Sequence, residues 1–234
     1  MSEANAKLQA VIDRLMANRA DVCLLEAGCG SVSHLKLNNA WRMVGIDIAE
    51  HQLARNAMLQ EKILGDVQTY VWPKDSFDMI VSWDVLEHLS EPRKALERFS
   101  DALRPGGIMV FALPNLYSLK GLITKFTPYV VHEWFYRYII GDKRDKSQFD
   151  QFPTFLKTDV APGRLKQFAE IRKFDVVYCD IYEGPVQVYL RRHNKLADIG
   201  FALLGGISRI LSLGKLDLNL TDYIMVLQKT SAPV

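Results

Sequence analysis

The stretch Leu24-Leu25-Glu26-Ala27-Gly28-Cys29-Gly30-Ser31 decides the fold. Extended back to Val22, it begins as a short apolar run of the kind that forms a strand buried on both faces. It then turns through Gly-x-Gly. Glycine adopts backbone angles closed to other residues and lets the chain approach a ligand closely. A helix is expected to open at about Ser33, with its free N–H groups facing the same space. An isolated Gly-x-Gly is also what any tight strand-to-helix turn requires. Two acidic motifs, at regular intervals further along the chain, give this one its meaning.

A second apolar run, Met43 to Ile48, closes on Gly45-Ile46-Asp47-Ile48, about 20 residues beyond the glycines. An acidic residue at that point can accept both ribose hydroxyls of a nucleoside lying across the carboxyl edge of a sheet. Gly65-Asp66-Val67 comes after a similar interval, placed for the edge of an adenine. Further strands are expected at Phe77 to Ser82, Ile108 to Leu113, Asp175 to Tyr182 and Asp222 to Gln228. Between them, Arg93 to Leu103 and Pro162 to Lys173 have helical periodicity, as does the leading segment through Leu8, Val11, Ile12 and Leu15. Arg104-Pro105-Gly106-Gly107 stops one helix and turns the chain. Apolar strands separated by helices imply a mostly parallel α/β sheet covered on both faces. The 234 residues suffice for one such domain, residues 1–234, with insertions at about 115–161 and 184–220.

Composition narrows the function classes. Apolar residues make up 49% and charged residues 24%, ordinary for a globular chain. With 29 basic and 27 acidic side chains the net charge is +2, which gives no reason to expect a nucleic-acid partner. Cys23, Cys29 and Cys179 are odd in number and form no C-x-x-C pair, so neither a disulfide framework nor a zinc site is indicated. Residues 1–20 lack the continuous apolar core of a signal peptide, and Ile199 to Leu213 is too short to span a bilayer. A cytoplasmic protein, monomeric or homodimeric and without a transmembrane segment, is the expectation.

In their order and spacing these motifs resemble those of the class I S-adenosylmethionine (SAM)-dependent methyltransferases. Glu26-x-Gly28-x-Gly30 is similar to that family's first motif, with Val32 where a third glycine is common. The segment Phe77-Asp78-Met79-Ile80-Val81-Ser82-Trp83-Asp84-Val85-Leu86-Glu87-His88-Leu89 and the turn Leu103-Arg104-Pro105-Gly106-Gly107 also fit. The resemblance implies a Rossmann-like seven-stranded sheet, its last strand antiparallel, with SAM as cofactor. It places Gly28 and Gly30 at the methionine portion, with Cys29 between them in the cofactor-binding loop as a small packing residue and Glu26 anchoring the loop or reaching the ligand's amino group through water. Asp47 would hold the ribose, Ile48 would pack on adenine, and Asp66 with the Val67 N–H would read its amino edge. Ser82 and Trp83 would complete the cofactor pocket. Val32 puts helix–sheet packing in question more than the ligand.

Methyl transfer is an in-line displacement that needs alignment and often a base. On a helix opening at about Asp84, the side chains of Asp84, Glu87 and His88 would share one face toward the cofactor mouth. His88 titrates near neutrality and suits a general base. With His132 added, two carboxylates and two imidazoles also suit a divalent metal that acidifies a substrate hydroxyl. That pattern resembles the Glu-x-x-Glu-His element of small-RNA 3′-terminal and ubiquinone-pathway O-methyltransferases, here with Asp84 in first place. The alternative is that Glu87 and His88 pin the loop. No metal is assigned.

The first insertion carries Tyr117, Phe126, Tyr129, Trp134, Phe135, Tyr136, Tyr138, Phe149, Phe152 and Phe155. It is expected to form an aromatic helical lid over a small-molecule pocket. In the second insertion, Arg191, Arg192, His193 and Lys195 precede the apolar Ile199 to Leu213 helix. They are expected to form a solvated turn beside a helix packed on the core, with contact to an acidic substrate or membrane surface as the alternative. The expected function is O- or N-methylation of a small acceptor such as a natural product or lipid-type metabolite. Two alternatives stand beside it: cyclisation of SAM's aminobutyl chain with release of methylthioadenosine, and a non-catalytic SAM-binding module.

Overall fold

The computed structural model describes residues 3–35, 42–126 and 154–231. The leading helix α1 (Glu3–Met16) buries Leu8, Ile12 and Met16 along one stripe. Then come strands β1 (Cys23–Ala27) and β2 (Arg42–Asp47), helix α2 (Glu50–Arg55), and strands β3 (Glu61–Leu64) and β4 (Phe77–Trp83). Helix α3 (Pro92–Ala102) leads directly into β5 (Leu103–Pro114), and α4 (Leu119–Phe126) comes next. After a short 3₁₀ turn at Thr158–Val160 the chain forms α5 (Pro162–Ile171), β6 (Phe174–Tyr182), α6 (Pro185–His193), α7 (Lys195–Leu211) and β7 (Asp222–Lys229).

All seven strands join one sheet in the order β3-β2-β1-β4-β5-β7-β6. Pairings from β3 across to β5 are parallel, and β7 runs antiparallel to both β5 and β6. This is the expected fold. Alternate residues of each strand point to opposite faces. On one face Leu24, Met79, Val110 and Val226 pack against α1, and on the other Leu25, Ile80, Met109 and Met225 pack against α3 and α5.

The structure adds one strand that the sequence did not mark and changes two expectations. β3 left no apolar run in the sequence because it is the edge of the sheet: Glu61, Lys62 and Leu64 are exposed and only Ile63 is half-buried. The helix expected at Ser33 is not present among the described residues. Residues 31–35 form a turn and bend, and among the described residues the glycine loop is held by side chains and by β2. The Leu103-Arg104-Pro105-Gly106-Gly107 segment is the irregular start of β5, where the register with β4 jumps between Phe77 and Met79. Gly106, at φ +72°, takes up that irregularity.

The second insertion also departs from expectation. Helix α7 exists, but its apolar stripe faces outward, with Leu203 62% and Ile210 76% exposed. It is not packed on the core. Among the described residues no helix is long and apolar enough to cross a membrane.

Candidate active site

Reversal of strand order at β1, with β2 to one side and β4 to the other, opens a crevice at the carboxyl ends of the strands. There the structure has a cleft of about 510 Å³. It reaches from the glycine loop after β1, past the ends of β2 and β3, to the loop after β4.

One half of the cleft is backbone and carboxylate. The amides of Gly28 and Cys29 donate to the carbonyl of Ile46 at 2.8 and 3.1 Å, tying the loop to β2. Asn56, fully buried, donates from Nδ2 to the Cys29 carbonyl at 3.2 Å and approaches that of Gly30 at 3.4 Å. Asp47 ends β2 and is buried. Its Oδ2 accepts the Gly30 amide and its Oδ1 the Ala49 amide, both at 2.8 Å. Ile48 beside it is 58% exposed into the cleft. Asp66 lies just after β3, and its carboxylate accepts the Gln68 amide at 2.8 Å and the Gln68 side-chain amide at 3.1 and 3.2 Å.

Glu26 lies beneath the loop rather than in the cleft wall. It is buried, accepts from the Ser33 hydroxyl and the His34 amide, and desolvation pushes its pKa up to about 7. Its Oε2 has no hydrogen-bond partner among the described residues. Cys29 is 3% exposed, and desolvation with the nearby Asp47 charge raises its thiol to about 12.

The other half is formed by Trp83, Asp84, Val85, His88, Leu89 and Phe155. Trp83 stacks on His34 with ring centroids 4.9 Å apart and planes 8° from parallel. Asp84 is not on a helix. It sits at φ +51°, with its amide donating to the Ala112 carbonyl at 2.9 Å, and the 3₁₀ turn Leu86–His88 begins two residues later. That turn separates the three polar side chains that helical spacing would have aligned. Asp84 and His88 face the cleft, whereas Glu87 points into the core. The Glu87 carbonyl accepts the amides of Phe155 and Leu156, each at 2.9 Å, and His88 Nδ1 lies 3.3 Å from Thr154 Oγ1. Desolvation raises the Glu87 carboxyl well above its usual range, and the Asp84 charge adds to this. Asp84 opens on the cleft, but protein on its other sides limits hydration. Its pKa is pushed up to about 6, against the opposing pull of Lys120 and with help from Asp222.

A model of the methyltransferase domain matches residues 2–151 of this sequence. The chain belongs to the class I SAM-dependent methyltransferase family. Among relatives, it is 32% identical over 123 residues to the tRNA (carboxymethyluridine(34)-5-O)-methyltransferase of Arabidopsis thaliana, covering 47% of this chain and 30% of that one. It is 22% identical over 162 residues to the ubiquinone biosynthesis O-methyltransferase of Coxiella burnetii, covering 63% of this chain and 61% of that one. The chain thus spans less than two thirds of the length of either relative. In fold it is similar to phosphoethanolamine N-methyltransferase 2 of Haemonchus contortus, solved in complex with SAM. The TM-score is 0.55 at 14% identity, over 97% of this chain and 53% of that one.

SAM is the cofactor of this methyltransferase family, and the cleft fits it. A carboxylate and an exposed isoleucine close β2, an acid closes β3, and the glycine loop bounds the space between. Beneath the loop, Glu26 Oε2 is a buried acceptor suited to an ammonium group or its water. Of the other residues singled out from this family's motifs, Gly28, Gly30, Val67 and Trp83 line the cleft. Ser82 is wholly buried, its Oγ unpaired among the described residues. His132 and the aromatics from Tyr129 to Phe152 lie outside the described residues. Phe155, from the same insertion, lines the cleft. Among the described residues no three His, Cys, Asp or Glu side chains are grouped to ligate a metal.

The family motifs pass over several members of the site. Lys120 Nζ lies 2.7 Å from Asp222 Oδ1, and Thr221 Oγ1 donates to Asp222 Oδ2 at 2.7 Å. Both Lys120 and Asp222 act electrostatically on Asp84. Tyr182 is near enough that burial, Asp222 and Asp84 together push its hydroxyl far up. These groups come from α4, β6 and β7 and meet only in the folded sheet. Gln52 and Gln68 were equally invisible in the sequence, because a glutamine in a loop or short helix has no distinguishing spacing.

Proposed function

We propose that this chain transfers a methyl group from SAM to an oxygen or nitrogen atom of a small-molecule acceptor. The observation that carries the reading is the continuity of one cleft from the glycine loop and Asp47 to Asp84 and His88. A nucleoside-binding half and a half bearing titratable side chains therefore share one space.

When bound, SAM supplies a methyl group on a sulfonium sulfur that a nucleophile can displace. The protein's own work is to hold, align and deprotonate. Asp47 holds the ribose, Asp66 and the Val67 amide take the adenine edge, and Ile48 packs on the ring. Gly28, Cys29 and Gly30 present backbone to the amino-acid portion. Asp84 is ionised above about pH 6 and opens on the cleft, which suits it to take a proton from the acceptor. His88 lies beside it and serves as a second proton carrier or a hydrogen-bonding guide. Glu87, with its side chain buried and its carbonyl bound to residues 155 and 156, fixes the position of both. Burial raises the Asp84 pKa, Lys120 opposes that rise and Asp222 adds to it.

Incubation of the pure protein with SAM and a panel of small phenols, acids and amines tests this reading. S-adenosylhomocysteine that appears only with an acceptor supports it. Release of methylthioadenosine without any acceptor would assign the site to cyclisation instead. Failure to bind SAM at millimolar concentration would leave neither chemistry standing.

A further inference from the structure

Helix α7 is turned inside out relative to an ordinary surface helix, whose apolar stripe faces the core. Leu196, Ile199, Leu203, Ile207, Ile210 and Leu211 recur at spacings of three and four residues or adjoin that row, and are between 55% and 81% exposed. They form one stripe along the full length of the helix, continued by Leu213 beyond its end. The opposite, more polar side holds the helix to the protein. Asn219 Nδ2 donates to the Phe201 carbonyl at 2.8 Å, and Asn219 lies so close to Gly205 that a Cβ there would stand 2.2 Å from its Nδ2. Arg209 pairs with Asp217 at 3.2 Å.

Charge around this helix is also one-sided. Each acid between residues 183 and 217 is engaged by an arginine: Glu183 and Asp198 by Arg191 at 2.9 and 2.6 Å, and Asp217 by Arg209. Arg192 and Lys195 before the helix stripe, and Lys215 after it, are exposed and make no ion pair within the described residues. An apolar stripe bounded at both ends by unengaged cations matches a bilayer interface, where side chains enter the acyl boundary and cations meet phosphate headgroups. Antiparallel pairing with a second copy fits less well, since it would bring Lys215 of one chain toward Arg192 and Lys195 of the other with every nearby acid already used. A continuous apolar row of this kind is also more than the scattered leucines of a normal surface.

We infer that α7 is an interfacial helix that docks this protein on an anionic phospholipid bilayer, lying flat with Leu203 and Ile207 buried among the acyl chains. At 17 residues, with Arg209 in its last turns, it lies on the membrane rather than crossing it.

Co-sedimentation of the full chain with vesicles tests this, using phosphatidylcholine alone and an equimolar mixture with phosphatidylglycerol. The parent protein is expected to sediment with the anionic vesicles and to be released by high salt. The double substitution Leu203→Glu, Ile207→Glu is expected to lower partitioning by about tenfold or more, leaving the thermal melt unchanged because both side chains face outward. Arg192→Glu with Lys195→Glu is expected to lower partitioning to anionic vesicles by about fivefold per charge, with little effect on the neutral ones. Parent protein remaining in the supernatant with both vesicles would overturn the inference. So would a solution dimer that Leu203→Glu, Ile207→Glu converts to monomer without altering vesicle binding. A steep fall in melting temperature for that variant would also overturn it, because the stripe would then be covered within the chain.

Discussion

Asp47 Oδ2 accepts the Gly30 amide at 2.8 Å, so the acid that ends β2 fastens the glycine loop that ends β1. One carboxylate thereby shapes the loop and lines the cleft, where the proposed function has it hold the ribose. Asp47→Ala is expected to weaken SAM binding by at least about tenfold, measured by calorimetry, and to cost about 1–3 kcal/mol in urea unfolding through the two orphaned amides. Unchanged affinity would remove Asp47 from the binding site.

Gly28 has a different reason to be glycine from the one its motif implies. A Cβ there would lie 2.3 Å from Val85 Cγ2, and φ is +72°. Gly28→Ala should therefore destabilise the fold even without ligand, by about 1–3 kcal/mol. Pairing it with Val85→Ala is expected to recover the steric part and leave the backbone cost of roughly 1 kcal/mol. A strictly additive double mutant in urea titration would show that Val85 is not the obstacle.

Glu26 makes stability depend on pH. Its carboxyl titrates near 7 in the fold, against an ordinary value of 4.5. The native state therefore holds this proton after the unfolded chain has lost it. Stability contributed by Glu26 is full at low pH, declines as pH rises from about 4.5 to about 7, and levels off above. Glu26→Gln should flatten that part of the curve, so its melting temperature gains on the parent at pH 8 and not at pH 4. An equal offset at both values would refute the assignment.

Asp84 predicts an acid limb in the rate profile. Turnover at saturating SAM should rise with pH through about 6 and plateau as the carboxylate ionises. Asp84→Asn should lose most turnover, about a hundredfold or more, and with it the limb. If instead His88→Ala abolishes the limb, the proton acceptor is the imidazole.

Lys120 connects that limb to the far strands of the sheet. Because its charge opposes the rise in the Asp84 pKa, Lys120→Met should move the limb to higher pH. The same change leaves Asp222, largely buried, without its 2.7 Å partner. A stability loss of about 1–3 kcal/mol is expected, moderated because Lys120 is partly exposed. A limb that stays in place while stability falls would confine the pair to a structural role.

The half of the cleft bounded by the glycine loop was legible because its residues are local and periodic. A buried strand, two glycines and acids at strand ends leave a regular spacing, and Asp47, Ile48 and Asp66 all stand where that spacing puts them. The other half was not. The pattern Asp84-x-x-Glu87-His88 has helical spacing, but a left-handed residue at Asp84 and a tight 3₁₀ turn send Glu87 inward. Helix α7 teaches the same lesson in another form. Periodicity reveals that an apolar stripe exists but not which side of it meets the protein. Lys120 and Asp222, 102 positions apart, had no local signal at all.

The place of β7 ties the end of the chain to the middle of the sheet. Strands β5 and β6 share no border: β7 lies between them, paired antiparallel with seven residues of one and eight of the other. The strands β1, β2 and β3 that bound the crevice come from the first part of the chain, whereas Asp222, which acts on Asp84, comes with β7. The strand that closes the sheet thereby brings a charge from the far end of the chain to bear on Asp84.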